Sequence, residues 1–298
     1  ESRKTSVHVI QRLADAHFNM SEYQNAKDWY VKLYAMQGQN VGESNIIKLV
    51  QCLKASMEPE KADQLLKDFY SSDQDRLNMI LAQKEQLESL KEENPKFEIQ
   101  KLAFNSKKSD FAPAMFNDML VFASARDTLR SSGKIYPWNN QPYLDVYLTN
   151  PNVADYVPEK FLDNMDSDFH DSNVAFAPGS QTVYFTRNYI KKNKLNANSD
   201  GLSNMQILKG SIYQNKLIEV TSLSFNSKNY SCGHPAISPD GKFLYFTSNM
   251  PGGYGHSDIY MVELGMDGDA ISPPKNLGKQ INTKGREMFP FVDGDTKF

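Results

Sequence analysis

The sequence predicts a multidomain chain of the α plus all-β class: α-helical repeats over residues 1–95, then an incomplete β-propeller over residues 96–298. Three observations predict it. Apolar residues recur at three-to-four spacing through residue 94. The run 232–264, CGHPAISPDGKFLYFTSNMPGGYGHSDIYMVEL, reads as short strands separated by turn residues. The pattern L-x-F-N-S-K occurs at Leu102, Phe104, Asn105, Ser106 and Lys107 and again at Leu223, Phe225, Asn226, Ser227 and Lys228.

The helices follow in order. Val7, Ile10, Leu13, Ala14 and Phe18 mark the first, and Tyr23, Ala26, Tyr30 and Leu33 the second, after a break at Met20-Ser21-Glu22. Ser44 is expected to cap a third helix carrying Ile47, Val50 and Leu53. Pro59 suits the first turn of a fourth, with Ala62, Leu65, Leu66 and Phe69 behind it. Asp73 or Asp75 opens a fifth, through Leu77, Ile80, Leu81, Leu87 and Leu90, which stops before Asn94-Pro95. Ala26 and Ala62 lie 36 residues apart, near the period of about 34 of tetratricopeptide repeats. Small residues there let paired helices approach closely. The second copy is degenerate, with Leu49, Val50 and Leu53 where the first has Leu13, Ala14 and His17. A plain helical bundle is the alternative.

The strands follow from the repeat. In 232–264, Pro239-Asp240-Gly241-Lys242 supplies a turn between strands at 235–238 and 243–248, and a Pro/Gly-rich loop at 250–256 leads to a third strand at 258–263. A looser copy of the motif runs over 277–291, through Ile281, Asn282, Thr283 and Lys284 to Met288, Phe289 and Pro290, and a degenerate one over 161–178. Aligning Pro113, Val174, Pro235 and Pro290 gives spacings of 61, 61 and 55 residues. Several short strands at a period above about 40 residues indicate propeller blades. Residues 98–102 are expected to be the outer strand of a ring-closing blade, and blade one then runs from Ala112, with 119–124 and 145–149 as its second and third strands. Blade two uses 174–177, 182–187 and 206–211, and blade four begins at Phe289. Polar insertions at 126–142 and 191–203 interrupt blades one and two, the second reading as a flexible loop. Residues 293–298 match the turn at 240–243, so the propeller is expected to continue in a longer polypeptide.

Composition excludes several classes. The net charge of −3 includes no basic stripe, which argues against a nucleic-acid partner. Cys52 and Cys232 fall in different predicted domains and have no metal-ligand spacing. There is no transmembrane run, no G-x-S-x-G, no Walker loop and no dinucleotide fingerprint. No catalytic or cofactor-binding residue is assigned, and no cofactor. His8, His17, His170, His234 and His256 form no H-x-x-x-H pair. Asp163, Asp166, Asp168 and Asp171 alternate as calcium ligands do, but without the Gly and distal Glu of a calcium loop. Asp166 and Asp168 are thus weak metal candidates, with a solvated acidic turn as the plainer reading. Tyr136 and Trp138 in the first insertion, Tyr143 directly after it, and Tyr254 and His256 in the Gly-rich loop are candidate interaction residues. The alternative for the first three is packing of their own loop onto the sheet.

Ser238-Pro239-Asp240-Gly241-Lys242-Phe243 and the residues to Asn249 resemble the PD40, or WD40-like, propeller repeat. Pro251-Gly252-Gly253-Tyr254-Gly255-His256, Asn276-Leu277-Gly278-Lys279 and Glu287-Met288-Phe289-Pro290 resemble its Bacteroidetes variant. The resemblance is strong over 218–298, fair over 97–186 and weak over 187–217. Residues 115–118 and 178–181 depart from Pro-Asp-Gly-Lys but remain turns. With the helical start, the order resembles the periplasmic OmpA-family proteins of Bacteroidetes, including the lipoprotein branch called PorE, associated with type IX secretion and gliding. That resemblance implies a non-enzymatic scaffold in the periplasm, associated with the outer membrane. It implies as partners an outer-membrane β-barrel of the PorP/SprF type or other type IX secretion components, and peptidoglycan through C-terminal domains outside this chain. The alternatives are a propeller that senses a glycan or peptide in its channel and an accessory domain of a larger enzyme.

Overall fold

The computed structural model describes residues 6–92, 100–127, 133–153, 155–179 and 181–293. The expected helix stop at Asn94-Pro95, residues 98 and 99 of the strand at 98–102 and residues 294–298 of the turn at 293–298 lie outside these residues, as do the side chains of Leu87 and Leu90. The chain divides into two compact units, residues 1–100 and 101–298.

Among its described residues the first unit holds five α-helices: α1 (Val7–Asn19), α2 (Tyr23–Gln37), α3 (Glu43–Ala55), α4 (Pro59–Phe69) and α5 (Gln74–Glu92). The first four form two hairpins that repeat at 36 residues in backbone detail. Ser21 and Met57 are left-handed, at φ 60° and 61°. The N–H groups of Glu22 and Glu58 donate to the carbonyls of His17 and Leu53, both at 2.9 Å. Ala14, Ala26 and Ala62 are fully buried in a core with Ile10, Tyr30, Leu33, Ile46 and Leu49. Without side chains beyond Cβ, the three alanines let the helices close on one another. Ser44 does not cap α3. Gly42 precedes the helix at φ 81°, a conformation open to glycine because it has no Cβ, and Glu43 takes the first turn. Asp73 caps α5, its carboxylate accepting from Arg76 N–H at 3.0 Å.

The described residues of the second unit form three four-stranded antiparallel sheets, each a simple meander. Sheet one contains β1 (Asp110–Phe116), β2 (Met119–Ser124), β3 (Asp145–Thr149) and β4 (Glu159–Lys160). Sheet two contains β5 (Asp171–Phe176), β6 (Thr182–Asn188), β7 (Met205–Tyr213) and β8 (Lys216–Ser222). Sheet three contains β9 (Cys232–Ile237), β10 (Phe243–Ser248), β11 (Asp258–Glu263) and β12 (Lys275–Asn276). Sheet one has its own outer strand, Glu159–Lys160, and of the ring-closing strand expected at 98–102 the described residues 100–102 form no strand. The turns obey their sequences. Asn117 and Asp118 join β1 to β2 with φ of 48° and 63°, as a two-residue primed turn demands. Neither insertion is a bare loop: each folds a small hairpin, Ile135–Tyr136 on Gln141–Pro142 and Ile190–Lys191 on Lys194–Leu195. Asn198 holds the rest of the second insertion, accepting from the N–H groups of Asp200 and Leu202.

Consecutive sheets pack through their first strands: β5 lies against sheet one and β9 against sheet two. Val121, Phe161, Val174, Val183, Phe185 and Leu208 fill the first interface. Tyr184, Ile207, Leu223, Phe225, Leu244 and Phe246 fill the second. Each first strand carries a bulge next to a left-handed residue: Ala112 at φ 56°, Asn173 at φ 40° and His234 at φ 54°. Phe289, at φ 57°, repeats the feature outside any strand.

Candidate functional site

Two polar stations are built alike. In sheet one, the Asp110 carboxylate accepts from Ser106 N–H at 2.5 Å, Ser124 Oγ at 2.6 Å and Arg126 at 3.0 Å. Arg126 also donates to the Phe104 carbonyl at 3.1 Å. In sheet two, Asp171 accepts from Ser167 N–H at 2.7 Å and from Arg187, which also donates to the Met165 carbonyl. Asp, Ser and carbonyl shift together by 61 residues, whereas the arginine comes from a loop in one sheet and from β6 in the other. Burial opposes charge on Asp110, but Ser124, the Ser106 N–H and Arg126 hold its carboxyl below the usual range. Asp171 is fully enclosed, and burial outweighs Arg187 and raises its carboxyl. In sheet three the corresponding residue is Cys232, whose thiol donates to Ser248 Oγ at 3.5 Å, with Met250 packed alongside in the apolar core.

A polar cleft of about 620 Å³ lies beside the second station, lined by Asp127, Lys160, Asp166, Asp168, Arg187 and Gln206 among others. Lys160 reaches Asp166 at 2.5 Å, Asp127 at 2.9 Å and Asp145 at 3.1 Å. Burial works against its ammonium, and the surrounding carboxylates more than offset that, raising its pKa. Asp168 pairs with Lys134 at 2.8 Å and Asp163 accepts from Asn215 at 3.1 Å. The four alternating aspartates thus face four different partners. Among the described residues no three His, Cys, Asp or Glu side chains gather as metal ligands would.

The expected aromatic anchors separate. Tyr143 is 7% exposed, and its ring meets Tyr136, Phe169 and His170 at centroid distances of 5.4, 5.5 and 4.6 Å. Tyr136 is half-buried against His170 at 4.5 Å. These two tyrosines therefore tie their own insertion to the sheet, since rings gain more by stacking together than by facing water. Trp138 is 62% exposed and free for contact. Tyr254 and His256 are also exposed. Their loop is rigid at its base, where Asp258 accepts from the N–H groups of Tyr254 and Gly255 at 2.5 and 3.0 Å, and Lys279 sits 5.7 Å from the Tyr254 ring centre.

The four left-handed residues, Ala112, Asn173, His234 and Phe289, meet around one small cavity of about 230 Å³. Phe289 stacks on His234 at 4.0 Å and touches Phe111 edge-on at 6.2 Å. The buried His234 Nδ1 has no hydrogen-bond partner, and burial lowers the ring's pKa to about 4. Sequence reasoning did not single out this meeting point, because the four positions share a backbone conformation and no side-chain type.

Among the described residues no helix is long and apolar enough to cross a membrane. No family model matches the chain, and no curated protein matches it. Among solved structures it is similar to a puromycin-hydrolysing peptidase of Mycobacterium tuberculosis, at 14% identity and a TM-score of 0.35 over 57% of this chain. An α-L-arabinofuranosidase of Lactobacillus brevis gives 10% and 0.36 over 58%. An endo-arabinase of Bacteroides thetaiotaomicron gives 14% and 0.34 over 60%. The chain spans 23% of the peptidase, 53% of the arabinofuranosidase and 61% of the endo-arabinase. Likeness at this level assigns neither architecture nor activity to the chain.

Proposed function

We propose that the chain is a non-enzymatic scaffold in which tetratricopeptide-like helical repeats precede part of a β-propeller. Three meanders of one strand order, packed in sequence with their bulges around one axial cavity, support the propeller reading. The 36-residue repeat of the helical turns supports the other. The observation that carries the scaffold reading is the distribution of polar groups. The buried carboxylates Asp145 and Asp171 and the half-buried Asp110 are closed into ion pairs, while Trp138, Tyr254 and His256 stand exposed. Paired charges hold structure and have little to offer a reacting atom, and exposed aromatics are the usual anchors of protein contact.

The resemblance of the repeat to periplasmic OmpA-family proteins makes the partner an outer-membrane β-barrel of the PorP/SprF type or another type IX secretion component. Domains outside these residues would bind peptidoglycan. Affinity capture from cell envelopes tests this. The chain should recover such a barrel, and Trp138→Ala with Tyr254→Ala should weaken recovery. Capture of no envelope protein overturns the reading, as does turnover of prolyl-peptide or arabinan substrates by the chain.

The axial cavity favours a second reading, a propeller that senses a small glycan or peptide, because His234 Nδ1 is an unused hydrogen-bonding group there. Titration with short glycans and peptides, followed by the His234 ring resonances, separates the two readings.

A further inference from the structure

In sheets two and three the connections from second to third strand stand side by side. They are residues 189–204 and 249–257, and Ser231 joins their bases. Its N–H donates to Asn249 Oδ1 at 2.7 Å, and its Oγ donates to Asn204 Oδ1 at 2.9 Å and accepts from Met205 N–H at 3.2 Å. Two asparagines pin the segments beside them. Asn226 Oδ1 accepts from Ile207 N–H at 3.0 Å and its amide donates to the Ile207 carbonyl at 2.7 Å. Asn282 grips Ile259 of β11 in the same way, at 2.8 and 3.0 Å. His256 N–H donates to the Gly285 carbonyl at 2.8 Å, and a Cβ on Gly255 would lie 2.4 Å from the Thr283 carbonyl oxygen. Residues 283–285 therefore lie directly on the Gly-rich loop.

This end of the two sheets is basic. Residues 189–204, 227–231, 249–257 and 278–287 contain seven lysines or arginines and two acids, in a chain of net charge −3. Lys191, Lys192, Lys194, Lys228, Lys284 and Arg286 are exposed, and among the described residues none of them forms an ion pair. One of the two acids, Glu287, is occupied by the N–H and Oγ1 of Thr283 at 3.0 and 2.5 Å. The tip is built against its own stability. Lys191 stands directly opposite Lys194 across the small hairpin, where like charges repel. The turn between them, Lys192-Asn193, has φ of 51° and 55°. Such a primed turn favours Asn-Gly, and the Cβ of Lys192 crowds the left-handed backbone. Ile190 and Leu195 are the next pair and face the other way, with Ile190 lining the polar cleft. The hairpin thus lays Ile190 on the protein and holds three ammonium groups out in water.

We propose that this end of sheets two and three is a docking surface for the acidic face of a partner protein, with Lys191, Lys192 and Lys194 as its leading edge. A lysine offers a point charge on a flexible stem and no fixed fork, so the tip matches a field of carboxylates and not a single anion pocket. With Ile190 laid inward, it has little apolar surface to insert into a bilayer. Carboxylates seated over Lys191 and Lys194 replace repulsion within the hairpin by attraction across the interface. Exposed charges of this kind act mainly on the rate of encounter and are weakened by salt. Tyr254, exposed on the adjoining loop, adds contact area once the partner has arrived. The inference rests on the scaffold reading and gives the chemistry of the partner's surface.

The test uses the whole chain and a fluorescent oligoglutamate peptide, followed by anisotropy. The peptide should bind, with an affinity that falls steeply as salt rises. Lys191→Glu with Lys194→Glu keeps a like-charged pair in the hairpin and reverses its sign. It should weaken binding about tenfold, as two exposed contacts turn from attraction to repulsion. Lys216→Glu with Lys242→Glu makes the same change of net charge at the opposite end of the sheets, beside the turns that follow β7 and β9, and should leave binding unchanged. Lys191→Thr with Lys194→Thr removes the repulsion, so the hairpin amides should exchange more slowly while binding still weakens. Absence of binding, equal loss in the two charge-reversed pairs, or tighter binding to phosphatidylglycerol vesicles or polygalacturonate than to the peptide overturns the proposal. Envelope capture separates this surface from the scaffold reading. Capture that survives Lys191→Glu with Lys194→Glu unchanged removes the surface and leaves the scaffold, whereas peptide binding by a chain that captures no envelope protein supports the surface and removes the scaffold.

Discussion

Sheets one and three share strand order and bulge, yet hold their first strands by opposite chemistry. Sheet one seats a carboxylate, Asp110, among a serine, a backbone N–H and a guanidinium. Sheet three seats a thiol, Cys232, beside a serine and a methionine. Sheet two takes the ionic solution further into the interior, with Asp171 fully buried. The same backbone position thus tolerates an ion pair or an apolar cluster, provided the whole set changes together. A paired charge and a packed apolar group can be nearly equivalent in stability, whereas an unmatched charge is costly.

The largest effects come from mismatching the sets. Asp171→Ala strands Arg187, and Cys232→Asp places a lone carboxylate in apolar surroundings. Each should cost about 3–5 kcal/mol, read as a lower urea midpoint at unchanged slope. Asp110→Ala removes a less buried carboxylate and should cost about 1.5–3 kcal/mol in the same measurement. The sharper test is transplantation. Asp110→Cys with Arg126→Met gives sheet one the chemistry of sheet three, and the pair should lie within about 1 kcal/mol of the parent. A loss equal to the sum of the single changes would show the two stations are not interchangeable.

The pH response separates the sheets by sign. Asp110 has a lowered folded-state pKa, so its stabilisation is present above the unfolded carboxyl value and is lost as pH falls through the folded one. Asp171 has a raised pKa, so its contribution is present below the unfolded value and lost as pH rises through the folded one. Asp110→Asn should therefore flatten the acid limb of a stability profile, and Asp171→Asn should not. Sheet three has its own acid-sensitive group. The unfolded state takes up a proton on His234 at the ordinary imidazole value, the folded state only at about 4. Stability from His234 is lost as pH falls between the two, and His234→Phe should remove that smaller slope.

Much of this was legible in the chain. The strands at 119–124, 145–149, 243–248 and 258–263 coincide with those observed, because each is a short apolar run bounded by turn residues. The first strands of sheets two and three begin three residues earlier than expected, at Asp171 and Cys232. Their opening residues are polar or small and pair through the backbone. The two-residue outer strands Glu159–Lys160 and Lys275–Asn276 carry no period at all. Ser44 looked like a cap because side-chain chemistry is visible in a sequence, but a left-handed Gly42 does the work through its backbone. The Asp–Arg stations stayed hidden for a related reason. Arg126 and Arg187 occupy different places in the repeat and converge only in space. The motif L-x-F-N-S-K was found at once, but its asparagine reveals its purpose only when Ile207 and Ile259 are seen in its grip.

The two cysteines give the molecule a pair of internal clocks. Cys52 is buried in the helical unit and Cys232 in the sheets, and burial pushes their thiols up to about 11 and about 12. A thiol reagent reacts with thiolate, so neither site is modified until its surroundings open. One cysteine per unit means that a labelling trace on the intact chain resolves the opening of each unit separately. Cys52→Ala or Cys232→Ala identifies which trace belongs to which. The order in which the two fall is then a direct record of whether helices and sheets come apart as one body or in turn.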